Sequence, residues 1–182
     1  MSSGATAWPT LEDDVRRKLR DVPDFPKPGI LFKDITPVLA DARLYRRVTD
    51  AMAEPFAESA ITHVAAVESR GFLLAGPIAR RLGAGLIPVR KPGKLPFDVV
   101  RQEYALEYGS DCLEMHSDAL VAASRVLIVD DVLATGGTAR AACLLIEGQG
   151  AEVAGCSFLL ELSFLKGRAA LDGRRSHFVL TL

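Results

Sequence analysis

Apolar positions along this chain fall into two kinds of run, and their alternation predicts an α/β fold. "THVAAVE", "GLIPVR", "RVLIV", "EVAGCSFLLEL" and "HFVLTL" are short, nearly continuous and rich in β-branched residues, the pattern of strands buried on both faces. Between them, "LLAGPIARRLG" reads as a helix stopped by Gly83, "TARAACLLIEGQG" as a helix closed by glycine, and "KGRAALDG" as a short helix. Strands alternating with helices imply a mainly parallel central sheet flanked by helices on both faces.

The remaining segments break that rhythm. Thr10 precedes "LEDDVRRKLR", with acids in the first turn and bases in the last, which predicts a capped helix. Leu44, Val48, Met52 and Phe56 recur at helical spacing behind Asp41, a cap, until Pro55 bends or ends the helix. "DVPDFPKPGILFKDITPVL" holds four prolines and predicts a long loop over 21–39; a loop of that length in a compact domain is usually functional. "FDVVRQEYALEYGSDCLEMHS", 97–117, alternates aromatic and β-branched with polar residues about a Gly-Ser-Asp turn, which predicts an antiparallel hairpin acting as a flap. The whole, 1–182, is expected to be one domain with residues 1–10 flexible.

Charge changes little in this picture. With 22 basic and 23 acidic residues the net charge is -1, so no broad positive field offers itself to nucleic acid or to a membrane surface. No apolar stretch is long enough to span a bilayer, and "MSSGATAWPT" lacks a signal peptide's apolar core, which points to the cytoplasm. Cys112, Cys143 and Cys156 are odd in number and lack metal-ligand spacing, as do His63, His116 and His177; both sets read as structural.

Chemistry should gather beyond the carboxyl ends of the strands. Three such places stand out: "ESRG" at 68–71, "RKPGK" at 90–94 and "DDVLATGGT" at 130–138. In the third, Ala134, Thr135, Gly136, Gly137 and Thr138 lead into a helix, a small-residue loop whose N–H groups and hydroxyls suit a phosphate. Asp130 and Asp131 just before it repel each other and are costly to desolvate, so they should face donors, and the cis-diol of a ribose supplies two. Arg70, Arg90, Lys91 and Lys94 can hold a second polyanion such as pyrophosphate. The chain has neither GxxxxGK[ST] nor GxGxxG, so the common nucleotide motifs do not explain the site.

These residues resemble a known family. "VLIVDDVLATGGT" is similar to the signature of the type I phosphoribosyltransferases, which bind 5-phosphoribosyl-1-pyrophosphate (PRPP). The ordered set "PDFPKPGILFKDITPVL", "ESRGF", "VRKPGKLP", "YALEYG" and "LLELSFLKGR" resembles the adenine-specific branch over most of the chain. The resemblance implies the type I fold, with a small hood from 21–39 and the 97–117 flap. It also implies conversion of adenine and PRPP to AMP and pyrophosphate in purine salvage, by a homodimer, with Mg2+ bound mainly through PRPP or pyrophosphate and no metal site made of side chains alone.

By the same resemblance Asp130 and Asp131 bind the ribose hydroxyls and 134–138 the 5-phosphate. Ser69, Arg70, Arg90, Lys91 and Lys94 serve the pyrophosphate, with Arg90 reaching a neighbouring subunit's site. Phe32 stacks on adenine while the backbone of Leu31 and Lys33 reads its edge. Glu107 and Tyr108 belong to the flap, Glu107 sharing a proton with N7 of the purine; the catalytic set is Glu107, Arg70, Asp130 and Asp131. Lys33 stands where many relatives carry arginine, and Ala134 where the hypoxanthine and guanine enzymes carry an aspartate. The alternatives are a transferase for xanthine or orotate, or a PRPP-sensing regulator without catalysis.

Overall fold

In the computed structural model, residues 9–105 and 110–182 are described. They fall into two compact units, one running through Val48 and the other from Thr49 onwards.

In the first unit, α1 (Leu11–Lys18) starts at Thr10, whose side chain accepts from the Asp13 N–H while the Asp13 carboxylate accepts from the Thr10 N–H. The expected loop over 21–39 is instead largely ordered secondary structure. β1 (Arg20–Pro23) and β2 (Leu31–Asp34) pair antiparallel, and α2 (Thr36–Leu39) follows. The prolines permit this because none sits mid-ladder: Pro23 ends β1, Pro26 and Pro28 lie in the connection, and Pro37 occupies the first turn of α2, where a missing N–H is harmless. Next comes α3 (Ala42–Ala53), whose residues from Thr49 on belong to the second unit; at its start the Asp41 carboxylate accepts from the Leu44 N–H at 3.1 Å, the predicted cap. After α3 the chain tightens into a 3-10 turn at Glu54–Phe56, as Pro55 led us to expect.

The second unit is built on five parallel strands in the order β4-β3-β7-β8-β9. β3 (His63–Val67) is followed by α4 (Gly71–Leu82), which Gly83 closes in the left-handed conformation, and then by β4 (Gly85–Val89). β5 (Val99–Ala105) and β6 (Ser110–His116) form the predicted antiparallel hairpin. After these come β7 (Arg125–Leu133), α5 (Gly137–Glu147), β8 (Glu152–Glu161) and β9 (Ser176–Thr181). The segment expected as one short helix is two 3-10 pieces, Ser163–Leu165 and Gly167–Leu171, separated by Lys166 at φ 55°.

Alternation along the strands divides the core. Val126 and Ile128 of β7 join Ala65, Val67 and Phe158 in one buried cluster with Ala142, Cys143 and Ile146 of α5, and the hairpin adds Leu113 and Met115. α4 packs on β3, β4 and β7. The cysteines are free, and Cys143 and Cys156, both fully buried, bring their sulfurs to 3.8 Å. Among the described residues no helix is long and apolar enough to cross a membrane.

Candidate active site

β7 runs further than its apolar residues predicted. The strand continues through both aspartates to Leu133, with Asp130 opposite Phe158 and Leu133 opposite Glu161 of β8, so Asp130 and Asp131 are strand residues and not the start of a loop. Ten-residue β8 supplies the ladder that carries it on.

Asp131 is buried and Asp130 is half-buried. The Asp130 Oδ1 accepts from the Asp131 N–H at 2.8 Å, and an Asp131 oxygen lies 2.9 Å from the Nε of Arg70. Burial raises the Asp130 pKa well above the usual carboxylate range and the charge of Asp131 adds to this, with Arg70 opposing. Burial raises Asp131 as well, again against Arg70. Burial thus works against the ionisation of both adjacent carboxyl groups, with Arg70 the cation that moderates both. Gly71, the first residue of α4, makes room for them: a Cβ there would lie 2.8 Å from the Val129 carbonyl oxygen and 3.0 Å from Asp130 Oδ1.

The cradle lies immediately beyond. Asp130, Ala134, Thr135, Gly136, Gly137 and Thr138 line one cleft of about 90 Å³ at the start of α5. Gly136 takes φ 85° in the left-handed region, and a Cβ on it would run into the Gly167 carbonyl oxygen and come within 2.7 Å of Ala170 Cβ. The 3-10 segment after β8 is thus the back wall of the loop.

Two of the sequence-predicted cations, and the backbone of a third, gather on one carboxylate to which the sequence assigned no role. Glu68, just after β3, accepts from Arg90 Nε at 3.2 Å and from the Lys91 N–H at 3.0 Å, and pairs with Lys94 Nζ. Burial alone would raise its pKa, but Lys94, the Lys91 N–H and Arg90 together hold it below the ordinary carboxylate value. A second buried acid, Glu114 of β6, accepts from the Gly93 N–H at 2.9 Å and faces Arg101 at 2.7 Å. These acids organise 90–94 from two sides. Lys91 turns its side chain to the hairpin, where it meets Tyr104 and Asp111, and Tyr104 touches Thr138 of the cradle.

Ser69 is exposed in the turn before α4, joined to Glu68 by a cis peptide bond. In the first unit, Leu31 is half-exposed, Phe32 meets Phe25 edge to face at 5.1 Å, and Lys33 pairs with Asp21 at 2.7 Å. Glu107 and Tyr108 lie outside the described residues.

A carboxylate pair, a small-residue cradle and a basic loop at the ends of a parallel sheet is the arrangement that the sequence signature predicted. The phosphoribosyl transferase domain family matches residues 35–172. An adenine phosphoribosyltransferase of Myxococcus xanthus is 58% identical over 172 residues, 94% of each chain. The chain belongs to the adenine phosphoribosyltransferase family. The adenine phosphoribosyltransferase of Rhodothermus marinus superposes with a TM-score of 0.91 at 52% identity, covering 94% of this chain and 98% of that one. The Saccharomyces cerevisiae adenine phosphoribosyltransferase, solved with an iminoalditol bisphosphate and adenine, matches at a TM-score of 0.86 and 39% identity over 91% of this chain and 96% of that one. Within this family's frame, the residues that the sequence missed are supports: Glu68, Glu114 and Gly167 hold the loops that carry the predicted site residues.

Proposed function

We propose that the protein transfers the phosphoribosyl group of PRPP to adenine, giving AMP and pyrophosphate in purine salvage. The observation that carries this reading is the shared cleft: Asp130 and the small-residue loop 134–138 line one small cavity at the end of β7. That spacing suits a sugar with hydroxyls on one side and a 5-phosphate on the other.

In this reading Asp130 and Asp131 accept from the ribose hydroxyls, which relieves their desolvation, and their charge favours the cationic sugar that forms as pyrophosphate departs. Thr135 and Thr138 and the N–H groups opening α5 take the 5-phosphate. Ser69, Arg70, Arg90, Lys91 and Lys94 neutralise the pyrophosphate, with Arg90 also serving a partner subunit. Phe32 offers a stacking face for adenine, Leu31 and Lys33 offer backbone groups for its edge, and Ala134 leaves out the acid found in oxopurine enzymes. Glu107 shares a proton at N7 as N9 attacks C1, and Tyr108 helps the flap exclude water.

Among the described residues no three carboxylate, histidine or cysteine side chains form a metal cluster, and Asp131 already pairs with Arg70. That donor set suits Mg2+ held mainly by substrate oxygens, where it spreads the charge of the leaving pyrophosphate. The homodimer belongs to the same reading, and exposed Leu86 and Phe97 offer apolar surface for it. Charged PRPP and AMP do not cross membranes unaided, which fits a cytoplasmic enzyme.

The test is purified protein, Mg2+ and PRPP offered adenine, hypoxanthine, guanine, xanthine and orotate in turn. AMP and pyrophosphate should form with adenine alone. Turnover of another base in preference would reassign the substrate, and PRPP binding without product from any base would make the protein a sensor.

Glu68 gives a second expectation. Glu68→Gln keeps the shape but removes the charge that holds Arg90 and Lys94, so KM for PRPP should rise about tenfold while KM for adenine stays put, as measured by initial rates.

A further inference from the structure

Arg90 and Lys94 send their side chains to Glu68, but Lys91 does not. Its Nζ donates to the Tyr104 hydroxyl at 2.8 Å, pairs with the Asp111 carboxylate, and lies 5.4 Å from the centre of the Tyr104 ring. Tyr104 donates to Asp111 at 3.1 Å and accepts from the Thr138 hydroxyl at 3.3 Å. One donor and two lone pairs of the phenol are thus fully used. Tyr104 and Asp111 are directly paired across the hairpin, so both project from the same face. A basic-loop cation is thereby joined, through two hairpin residues, to the phosphate cradle.

This pair is unlike the Glu68 cluster. Glu68 is nearly buried and its carboxylate also secures a backbone N–H of the basic loop, so it builds that loop. Asp111 is 28% exposed, and among the described residues the only group it takes from that loop is the Lys91 ammonium, which Tyr104 also holds. Its carboxylate also accepts from the neighbouring Cys112 N–H at 2.8 Å, a role an amide oxygen can fill, so it is the charge of Asp111 that stands where a polyanion must compete for Lys91.

We propose that Asp111 is a positioning residue that weakens and tunes affinity for the pyrophosphate end of the substrate: a built-in counter-anion that parks Lys91 against Tyr104 and yields it to arriving PRPP. When pyrophosphate departs, Lys91 returns to Asp111, which keeps product affinity low. The inference rests on the reading that Lys91 serves pyrophosphate.

The experiment is calorimetric titration of the full chain with pyrophosphate and Mg2+, alongside initial rates. Asp111→Asn should lower the pyrophosphate Kd and the PRPP KM together, by about three- to tenfold, with KM for adenine unmoved. Asp111→Glu, which keeps the charge, should restore wild-type values. In a Lys91→Ala background the Asp111→Asn shift should shrink to less than about twofold. Unchanged or weaker pyrophosphate binding in Asp111→Asn overturns the proposal whatever its melting temperature, as does an undiminished shift without Lys91. Failure of the wild-type protein to bind pyrophosphate at all would instead overturn the functional reading beneath it.

Discussion

Asp131→Asn should lower kcat/KM for PRPP by about 10²- to 10³-fold and remove the charge that faces Arg70. In the proposed reading, an amide keeps the volume but presents an N–H group where a ribose hydroxyl would donate, and it removes the charge that would favour a cationic sugar. Asp130→Asn should be comparably inactive and yet more stable. The folded-state pKa of Asp130 is raised by burial, so between about pH 4, where a free aspartate titrates, and its higher native value the folded chain keeps a proton that the unfolded chain has released. Stability is lost as pH rises through that window, and asparagine, which does not titrate, escapes the loss. Calorimetry at pH 7 should show the melting temperature of Asp130→Asn a few degrees above wild type, on the order of 1 kcal/mol, with the gap closing near pH 4. A lower melting temperature at pH 7 would mean that the carboxylate is held by the native protein and not merely tolerated.

This opposition between stability and the proposed function explains why the candidate site stood out in the amino-acid sequence. Two adjacent acids at the end of an apolar run conflict with burial, and the conflict itself marks them. The parallel sheet was equally legible, because continuous β-branched runs separated by helical spacing allow few other arrangements. What could not be read were contacts made at long range. Glu68 follows β3 but works on 90–94, Glu114 reaches the same loop from the hairpin, and neither carries a local pattern that sets it apart from a surface acid. The extent of β7 was missed for a related reason: the ladder with β8 continues through Asp130, Val132 and Leu133, pairing that depends on a distant strand and not on the local sequence. The proline-rich segment misled through count, since four prolines suggest a loop only if they interrupt hydrogen-bonded positions, and here they flank them.

Gly136 shows how a residue singled out from the sequence can matter for a reason beyond the one first given. The sequence offered it as space for an incoming phosphate, whereas the structure adds that it is pressed against the chain's own Gly167 and Ala170 at φ 85°. Gly136→Ala must therefore bear a left-handed alanine and a Cβ with no room, together about 2–4 kcal/mol, or a melting temperature lower by about 5–15 °C. The strain falls on the loop that opens α5, so KM for PRPP should rise by about 10²-fold, since a displacement of about 1 Å at a binding loop carries that scale of effect. Adding Ala170→Gly removes the side-chain half of the clash but leaves the Gly167 carbonyl, so the double variant should recover only part of the lost melting temperature. Full recovery would assign the whole effect to Ala170. No recovery would assign it to the backbone of Gly136 and its neighbour, in which case the back wall built by Gly167, and not the open face of the cradle, is what requires glycine at this position.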